Sequence, residues 1–416
     1  MKRKAGPHSP IKVVLLLCGA EVLSMTGFAT YPALLPLFRH EWGLSASEAG
    51  LISGVFFAGY MVATPILVGL TDRLDTRRIY LVATLLATAG SFGFAFFATG
   101  LYSAMLFQAL VGAGLAGTYM PGLRLLTDHF RGTVPSRGVA FYTATFGVGT
   151  TVSLLLAGVL EQIGWFWVFV VSGIGPIAAG VLVFVSFPAK TPVAVDAPRG
   201  LLFDFRPILK NREAMRYILG YAAHCWELFG LRSWLPAFFA FSIGLSGSTG
   251  GVLLGAAALA AWINLLGPAA SILGNEAAIH KGRRKIIALT MAGSGILACL
   301  VGFSAPLPLM MVFTITAVYF LLIMGDSAAL TAGLVASVPA ERRGAAMALH
   351  SLLGFGAGFL APLTFGLVLD LAGGSDRVMS WGLAFAALGF WSLVTVIVNL
   401  MRKEKRPAVS DQPTAG

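Results

Sequence analysis

The stretch that decides the fold is Gly69-Leu70-Thr71-Asp72-Arg73-Leu74-Asp75-Thr76-Arg77-Arg78. It separates two apolar runs, residues 49–70 and 79–99, which contain 22 and 21 residues. About 20 apolar residues are enough for a helix to cross a bilayer. The charged stretch is too short to do more than reverse the chain. It therefore predicts a turn between two transmembrane helices, with its arginines in water on one side of the membrane.

The composition extends this prediction to the whole chain. Of 416 residues, 57% are hydrophobic and only 11% are charged, whereas soluble proteins carry about 25% charged residues. We therefore expect a multi-pass α-helical membrane protein. The net charge of +11 does not indicate nucleic-acid binding, because the basic residues lie in short loops between apolar runs. The three cysteines lie inside apolar runs and form no disulfide or metal-binding pattern.

Twelve apolar segments are predicted to be transmembrane helices, and a long polar link divides them into two sets of six. The segments are residues 11–38, 49–70, 79–99, 102–126, 138–160, 163–187, 217–241, 249–273, 286–303, 309–336, 345–371 and 378–401. The predicted domains are an N-terminal six-helix bundle (1–187), a linker (188–216), a C-terminal six-helix bundle (217–401) and a polar tail (402–416). Within the linker, residues 201–212 could form an amphipathic helix on the membrane surface or remain a solvated segment.

The basic residues predict the orientation. Of the 29 Lys and Arg residues, 25 lie in the tails, the link and alternate loops, while only Arg39 and Arg377 lie in the opposite loops. Because positively charged loops stay in the cytoplasm, we expect both termini and the linker there, in an inner or plasma membrane.

The two halves also resemble each other in sequence. Residues 43–54 and 244–255 both begin Gly-Leu-Ser at the entrance to the second helix of a half. Val134-Pro135 and Val338-Pro339 precede the fifth helix of each half. Repeated halves that meet around a site at the membrane midplane are the architecture of secondary transporters.

On these residues the chain resembles the major facilitator superfamily over its whole length. The charged turn is similar to the family signature Gly-x-x-x-Asp-Arg/Lys-x-Gly-x-Arg/Lys-Arg/Lys, with Asp72, Arg73, Arg77 and Arg78 at its charged positions. The first Gly is one place late, and Asp75 stands where the second Gly is usual. The resemblance implies two pseudo-symmetric six-helix bundles, alternating access and no enzymatic activity.

The family's use of this turn implies a conformational latch. Asp72 would dock against the start of span 11 at Arg343, since a carboxylate is favoured at a helix N-terminus by about 0.3–2 kcal/mol. Arg73 could pair with Asp128 at the end of span 4. Alternatively, these charges only set the topology.

Two other family signatures are altered. In span 4, Gln108 replaces the usual Arg ahead of Gly112 and Gly114, which argues against family-style proton coupling at this position. Span 5 lacks the Gly-Pro pair typical of drug antiporters, which argues against export.

Ionisable residues inside the spans are the candidates for chemistry. A charge in the membrane costs roughly 2.5–3.5 kcal/mol and usually marks a functional site. Glu21, Glu227 and Asp326 are predicted to bind and release protons, because loss of water disfavours a charged carboxylate. Each could instead bond a neighbouring hydroxyl.

Other polar and aromatic residues are candidates for substrate binding. Arg232 could clamp an anionic substrate, or it could neutralise Glu227 or Asp326. An ideal helix places Glu227 and Arg232 on different faces. The complete set of substrate-binding candidates is Arg232, Arg124, His224, Gln108, Tyr119, Trp234 and Asn264.

The sequence therefore predicts a proton-coupled secondary transporter, a symporter, for a small polar or anionic solute. A proton-driven drug or metabolite efflux pump is the alternative, and a non-transporting membrane sensor is an alternative of another class. We expect no cofactor, no metal and no nucleic-acid partner. The expected partners are a solute, protons and the lipid bilayer, with the chain working as a monomer.

Overall fold

We analysed a computed structural model of the chain, which describes residues 9–71, 73–129, 136–189, 204–247 and 255–401. Asp72 and residues 190–203 of the predicted linker lie outside the described residues. Fifteen α-helices account for nearly all of the described chain.

The first half is built from seven helices. They are α1 (Pro10–Ser24), α2 (Thr30–Glu41), α3 (Ala46–Leu70), α4 (Thr76–Phe97), α5 (Leu101–His129), α6 (Ser136–Leu160) and α7 (Trp165–Ser186). The helices α1 and α2 together form the first span, and α3–α7 form spans 2 to 6.

The second half begins with the short helix α8 (Arg206–Lys210), which lies within the segment predicted to be amphipathic. Seven helices follow: α9 (Arg212–Ser246), α10 (Ala256–Leu265), α11 (Gly267–Lys281), α12 (Arg283–Val301), α13 (Leu309–Ser337), α14 (Arg343–Leu371) and α15 (Val378–Met401). The pair α10 and α11 forms span 8. Among the described residues, eleven single or nearly continuous helices are long and apolar enough to cross a membrane. The twelfth span is the first one, which is divided into α1 and α2. The predicted twelve-helix, two-bundle fold is confirmed.

The first span is interrupted at residues 25–29, where the sequence predicted one continuous helix. The backbone groups exposed by the break are bonded by Ser153 of α6, whose hydroxyl donates to the Thr26 carbonyl (2.7 Å) and accepts from the Ala29 N–H (2.9 Å). Buried backbone groups need such partners. Span 8 is interrupted where Pro268 follows Leu266 and Gly267, and Pro268 packs against Gly147 of α6. Helix α6 therefore contacts both interruptions.

We call the membrane side that carries Arg73 and the linker the basic side, and the other the opposite side. The two halves meet tightly toward the opposite side, through α3 and α14. A Cβ added at Gly50 would lie 2.1 Å from the Pro362 carbonyl oxygen, so only glycine permits this approach. Toward the basic side, Arg73 and Arg343 are exposed. The two bundles are therefore closed against each other on the opposite side.

Candidate solute-binding site

A small cavity of about 20 Å³ lies between the two halves, beside both helix interruptions. Interrupted helices at mid-membrane are the usual place for substrate sites in transporters. The lining residues come from the first-span break and from α2, α3, α5, α6, α9 and α10. They are Phe28, Ala29, Pro32, Ser53, Phe56, Phe57, Gln108, Thr150, Leu154, Arg232, Ser233 and Asn264.

Arg232 gives this cavity a positive charge. Its Nε donates to the Asn264 side-chain oxygen at 2.9 Å, and Asn264 is fixed in turn by donating to the Ala260 carbonyl. The guanidinium lies 5.5 Å from the ring centre of Phe146 and 5.9 Å from that of Phe320, within range of cation–π attraction. Among the described residues, no carboxylate forms an ion pair with Arg232. The charge is therefore held in place but not neutralised.

Two further polar groups on the cavity wall lack partners. The Gln108 Nε2 amide and the Ser53 hydroxyl are buried, and neither has a hydrogen-bond partner within the described part of the chain. A buried polar group without a partner costs about 1–3 kcal/mol. The Arg232 charge and these two donors together match a ligand that is anionic and accepts hydrogen bonds.

Glu21 lies within the first half, away from the cavity wall. It is fully buried, and its Oε2 accepts from the Tyr142 hydroxyl at 3.1 Å and from the Ser24 hydroxyl at 3.4 Å. Its Oε1 has no hydrogen-bond partner among the residues described. Glu21 is a buried carboxylate held by hydroxyls, with one oxygen available to carry a proton.

Aromatic rings connect Glu21 to the cavity. The Tyr142 ring stacks on Tyr119 at 5.7 Å between centroids, and Tyr119 packs against Phe146 at 5.5 Å. Phe146 is the ring beneath Arg232. Tyr119, a predicted substrate contact, thus belongs to the packing between Glu21 and Arg232.

His224 and Asp326 form a buried pair in the second half. His224 Nδ1 lies 2.7 Å from Asp326 Oδ1 and 3.1 Å from the Ile323 carbonyl oxygen. The Tyr221 ring stacks between His224 and His350, at 5.7 and 3.6 Å. The pair joins α9 to α13, and neither residue lines the central cavity.

Glu227 is also separate from Arg232, as the helix geometry predicts. Its Oε2 accepts from the Ser294 hydroxyl (2.9 Å) and the Ser392 hydroxyl (2.6 Å), which lie on α12 and α15. Trp234 donates its indole N–H to the Pro362 carbonyl and is fully buried. The structure thus places the predicted proton-coupling and substrate-binding residues in separate clusters around Arg232, Glu21, the His224–Asp326 pair and Glu227. Of these four, only the cluster at Arg232 lines the central cavity.

The predicted latch lies on the basic side. Arg124 donates to the Thr71 hydroxyl (2.5 Å) and lies 4.0 Å from Asp128, so it is the arginine next to Asp128 in this conformation. Arg77 donates to the Phe184 carbonyl and stacks over the Phe184 ring. Arg73, Arg78 and Arg343 are exposed. The docking of Asp72 falls outside the described residues.

On the opposite side the structure contains a carboxylate contact that the sequence interpretation missed. Asp370, in the last turn of α14, accepts from the backbone N–H groups of Ala46 (2.9 Å) and Ser47 (2.8 Å). These groups form the first turn of α3, where a negative charge is favourable. The sequence did contain a signal for this contact, because Asp370 is an isolated acidic residue at the end of an apolar run.

The comparisons with known proteins agree with this architecture. The human Protein spinster homolog 1 is 24% identical over 255 residues, covering 58% of this chain and 48% of that protein. The Danio rerio Sphingosine-1-phosphate transporter SPNS2 is 24% identical over 243 residues, covering 56% of this chain and 48% of that protein. The chain thus matches about half the length of these relatives.

A solved structure is similar over nearly the whole chain. It is that of a bacterial homolog to the human lysosomal transporter Spinster, in an inward-facing and unoccupied conformation. The two structures align with a TM-score of 0.72 and 16% sequence identity. The alignment covers 94% of this chain and 95% of the other. The sequence profile of the Major Facilitator Superfamily matches residues 17–280. The chain belongs to the Major Facilitator Superfamily.

Proposed function

We propose that this transporter carries a small anionic solute through the cavity at Arg232, by alternating access and together with protons. The observation that carries the proposal is the uncompensated guanidinium of Arg232, buried between the two halves. A buried cation is costly unless a counter-charge reaches it. An anionic solute supplies that charge, and the donors of Gln108 and Ser53 supply its hydrogen bonds.

The relatives are compatible with an anionic solute. One of them is named as a transporter of sphingosine-1-phosphate, a molecule that carries a phosphate group. The cavity is small in this conformation, about 20 Å³, which supports a compact solute or a head group. We also propose that the chain works as a monomer.

Protons would couple through Glu21. Neutralising this carboxylate removes a negative charge from the first half, which favours an anion bound beside Arg232. The ring packing of Tyr142, Tyr119 and Phe146 would pass small movements of α1 and α6 to the cavity. This arrangement supports symport, in which the solute and the proton bind together.

The orientation is proposed from the charge distribution. With 25 of 29 basic residues assigned to one side, the basic side would face the cytoplasm of a cell whose inner or plasma membrane holds the protein. Because the two halves are closed on the opposite side, the structure would then correspond to an inward-facing state.

A thermal-shift screen tests the solute class, because a ligand stabilises the state that it binds. Purified protein is heated with matched sets of anionic, neutral and cationic metabolites. We expect stabilisation by a subset of small anions, and its loss in Arg232→Gln. The matched control is Lys281→Gln, which removes an exposed cation outside the cavity. Stabilisation by apolar cations, equal in the wild type and Arg232→Gln, would instead favour a drug efflux pump.

A further inference from the structure

A second and larger groove lies on the basic side of the second half, away from the transport cavity. Its volume is about 510 Å³, and it opens between the starts of α9 and α12, the end of α15 and the adjoining part of α13. Its lining residues are Glu213, Arg216, Tyr217, Gly220, Arg284, Lys285, Ile287, Ala288, Leu289, Met291, Ala292, Leu330, Thr395 and Val396.

The charged lining residues are concentrated at the mouth of the groove. Arg216 is in the second turn of α9, and Arg284 and Lys285 are in the first turn of α12. Arg284 lies 3.1 Å from Glu213, the acidic residue of the lining. Arg216 and Lys285 form no ion pair within the described residues, and the Arg216 Nε is buried without a hydrogen-bond partner there. Three cations therefore face one carboxylate.

The deeper wall is apolar. Ile287, Met291, Leu330 and Val396 are buried, and the two small residues Ala288 and Ala292 leave room beside them. Leu289, on the rim, is 57% exposed, as expected of a side chain that faces lipid. A cationic mouth at the level of the head groups above an apolar cleft matches a molecule with an anionic head and hydrocarbon chains.

We propose that this groove binds an anionic phospholipid from the leaflet on the basic side. The phosphate would lie between Arg216 and Lys285, with an acyl chain running along Ala288 and Ala292. Basic pockets between transmembrane helices are known to bind lipids of this kind. The adjoining helix α8 adds exposed Arg206 and Lys210, while its Ile208 is buried against the second half, so α8 lies against the protein close to the groove.

A lipid bound in this groove would regulate the transporter by contacting several of its helices at once. The groove joins α9, α12, α13 and α15 at one end, so an occupied groove holds these four helices together. The site is independent of the cavity at Arg232, and the binding test below does not depend on transport.

Native mass spectrometry of the full chain measures this binding directly. The probe is a phosphatidylglycerol, titrated against a phosphatidylcholine with the same acyl chains. Wild type is expected to retain phosphatidylglycerol preferentially. Each cation near the membrane surface contributes about fivefold in affinity, so Arg216→Ala combined with Lys285→Ala is expected to weaken binding roughly thirtyfold.

The control is Lys12→Ala combined with Lys281→Ala, which removes two exposed cations on the same side but outside the groove. Equal loss in both double variants would overturn the proposal, because the binding would then be a diffuse charge effect. Ala292→Trp tests the apolar part by filling the cleft without changing charge, and we expect it to displace the lipid. Binding unaffected by Ala292→Trp, or abolished by excess inorganic phosphate, would contradict a lipid site.

Discussion

At the scale of single residues, the cavity is defined by Arg232, a cation that has no counter-charge among the described residues. Sequence reasoning proposed Arg232, Gln108 and Asn264 separately, and it left open whether Arg232 neutralises a nearby carboxylate. In the structure Glu227 is bonded by two serines and Asp326 by His224, so neither pairs with Arg232. The sequence could not supply this information, because the bonded residues are far apart in the chain. The two serines are 67 and 165 residues from Glu227. His224 is 99 or more residues from its contacts on α13.

The first prediction concerns Gln108. Its buried amide N–H group has no partner in the described structure and faces the cavity. A hydrogen bond to a charged group is worth about 1.5–3 kcal/mol, so Gln108→Ala is expected to weaken anion binding by roughly ten- to a hundredfold. Calorimetric titration with an anion from the screen measures this. Thr314→Ala, on an exposed face of α13, is the control, and unchanged affinity in Gln108→Ala would remove this residue from the site.

The second prediction concerns Glu21 and pH. As pH falls, Glu21 gains a proton and loses its charge, so the affinity for the anion should rise. As pH increases, the restored negative charge should weaken binding. Glu21→Gln carries no charge at any pH, and its affinity is expected to be high and independent of pH. Titrations across a pH series check this, with the exposed Glu276→Gln as control. Wild-type pH dependence in Glu21→Gln would contradict the coupling role.

At the scale of helices, the interruptions of the first and eighth spans position the site. Hydropathy predicted both spans but not their breaks. Residues 25–29, where the first span is interrupted, carry no charge and contain no proline, so the segment 11–38 reads as one span. The hydrogen bonds to the backbone at the first break come from Ser153, which is 124 residues from Ala29. A break that depends on so distant a partner leaves no local pattern in the sequence.

The third prediction tests this support. Ser153→Ala leaves the Thr26 carbonyl and the Ala29 N–H without their bonds, and we expect a loss of about 1–3 kcal/mol in stability. The thermal unfolding temperature in a fixed detergent measures it. Thr395→Ala is the control, since Thr395 is in α15 and its hydroxyl bonds only its own helix at Trp391. Equal unfolding temperatures for the two variants would mean that the break is stable without Ser153.

The fourth prediction concerns Asp370, which holds the start of α3 on the opposite side. Asp370→Asn removes a negative charge from the N-terminus of α3, where such a charge contributes about 0.3–2 kcal/mol. We therefore expect the ratio of molecules open on the opposite side to molecules closed there to rise about two- to thirtyfold. Spin labels at Glu41 and Asp376 would report a larger population of long distances. An unchanged distance distribution would show that Asp370 does not hold this side closed. Glu161→Gln, on the same side, is the control.

At the scale of the whole molecule, the sequence predicted most of the fold. The charged turn at residues 69–78, twelve apolar runs and repeated half-sequences indicated two six-helix bundles, and the helices of the structure and the similar solved structure confirm this fold. Apolar length and repeats are local or periodic signals, so they can be read without a structure. The conformation could not be predicted, because it depends on which ends of α3 and α14 are in contact. The packing of Gly50 against Pro362 settles this for the structure described here.

Solute uptake into proteoliposomes tests the central claim most directly. Purified wild-type protein, Arg232→Gln and Lys281→Gln are reconstituted, a pH gradient is imposed, and the accumulation of a radiolabelled anion from the screen is followed. We predict that wild type and Lys281→Gln accumulate the anion only when the gradient is present, and that Arg232→Gln accumulates at least about a hundredfold less. Equal accumulation in Arg232→Gln and wild type would contradict the account, because the anion would then cross without the cation of the central cavity.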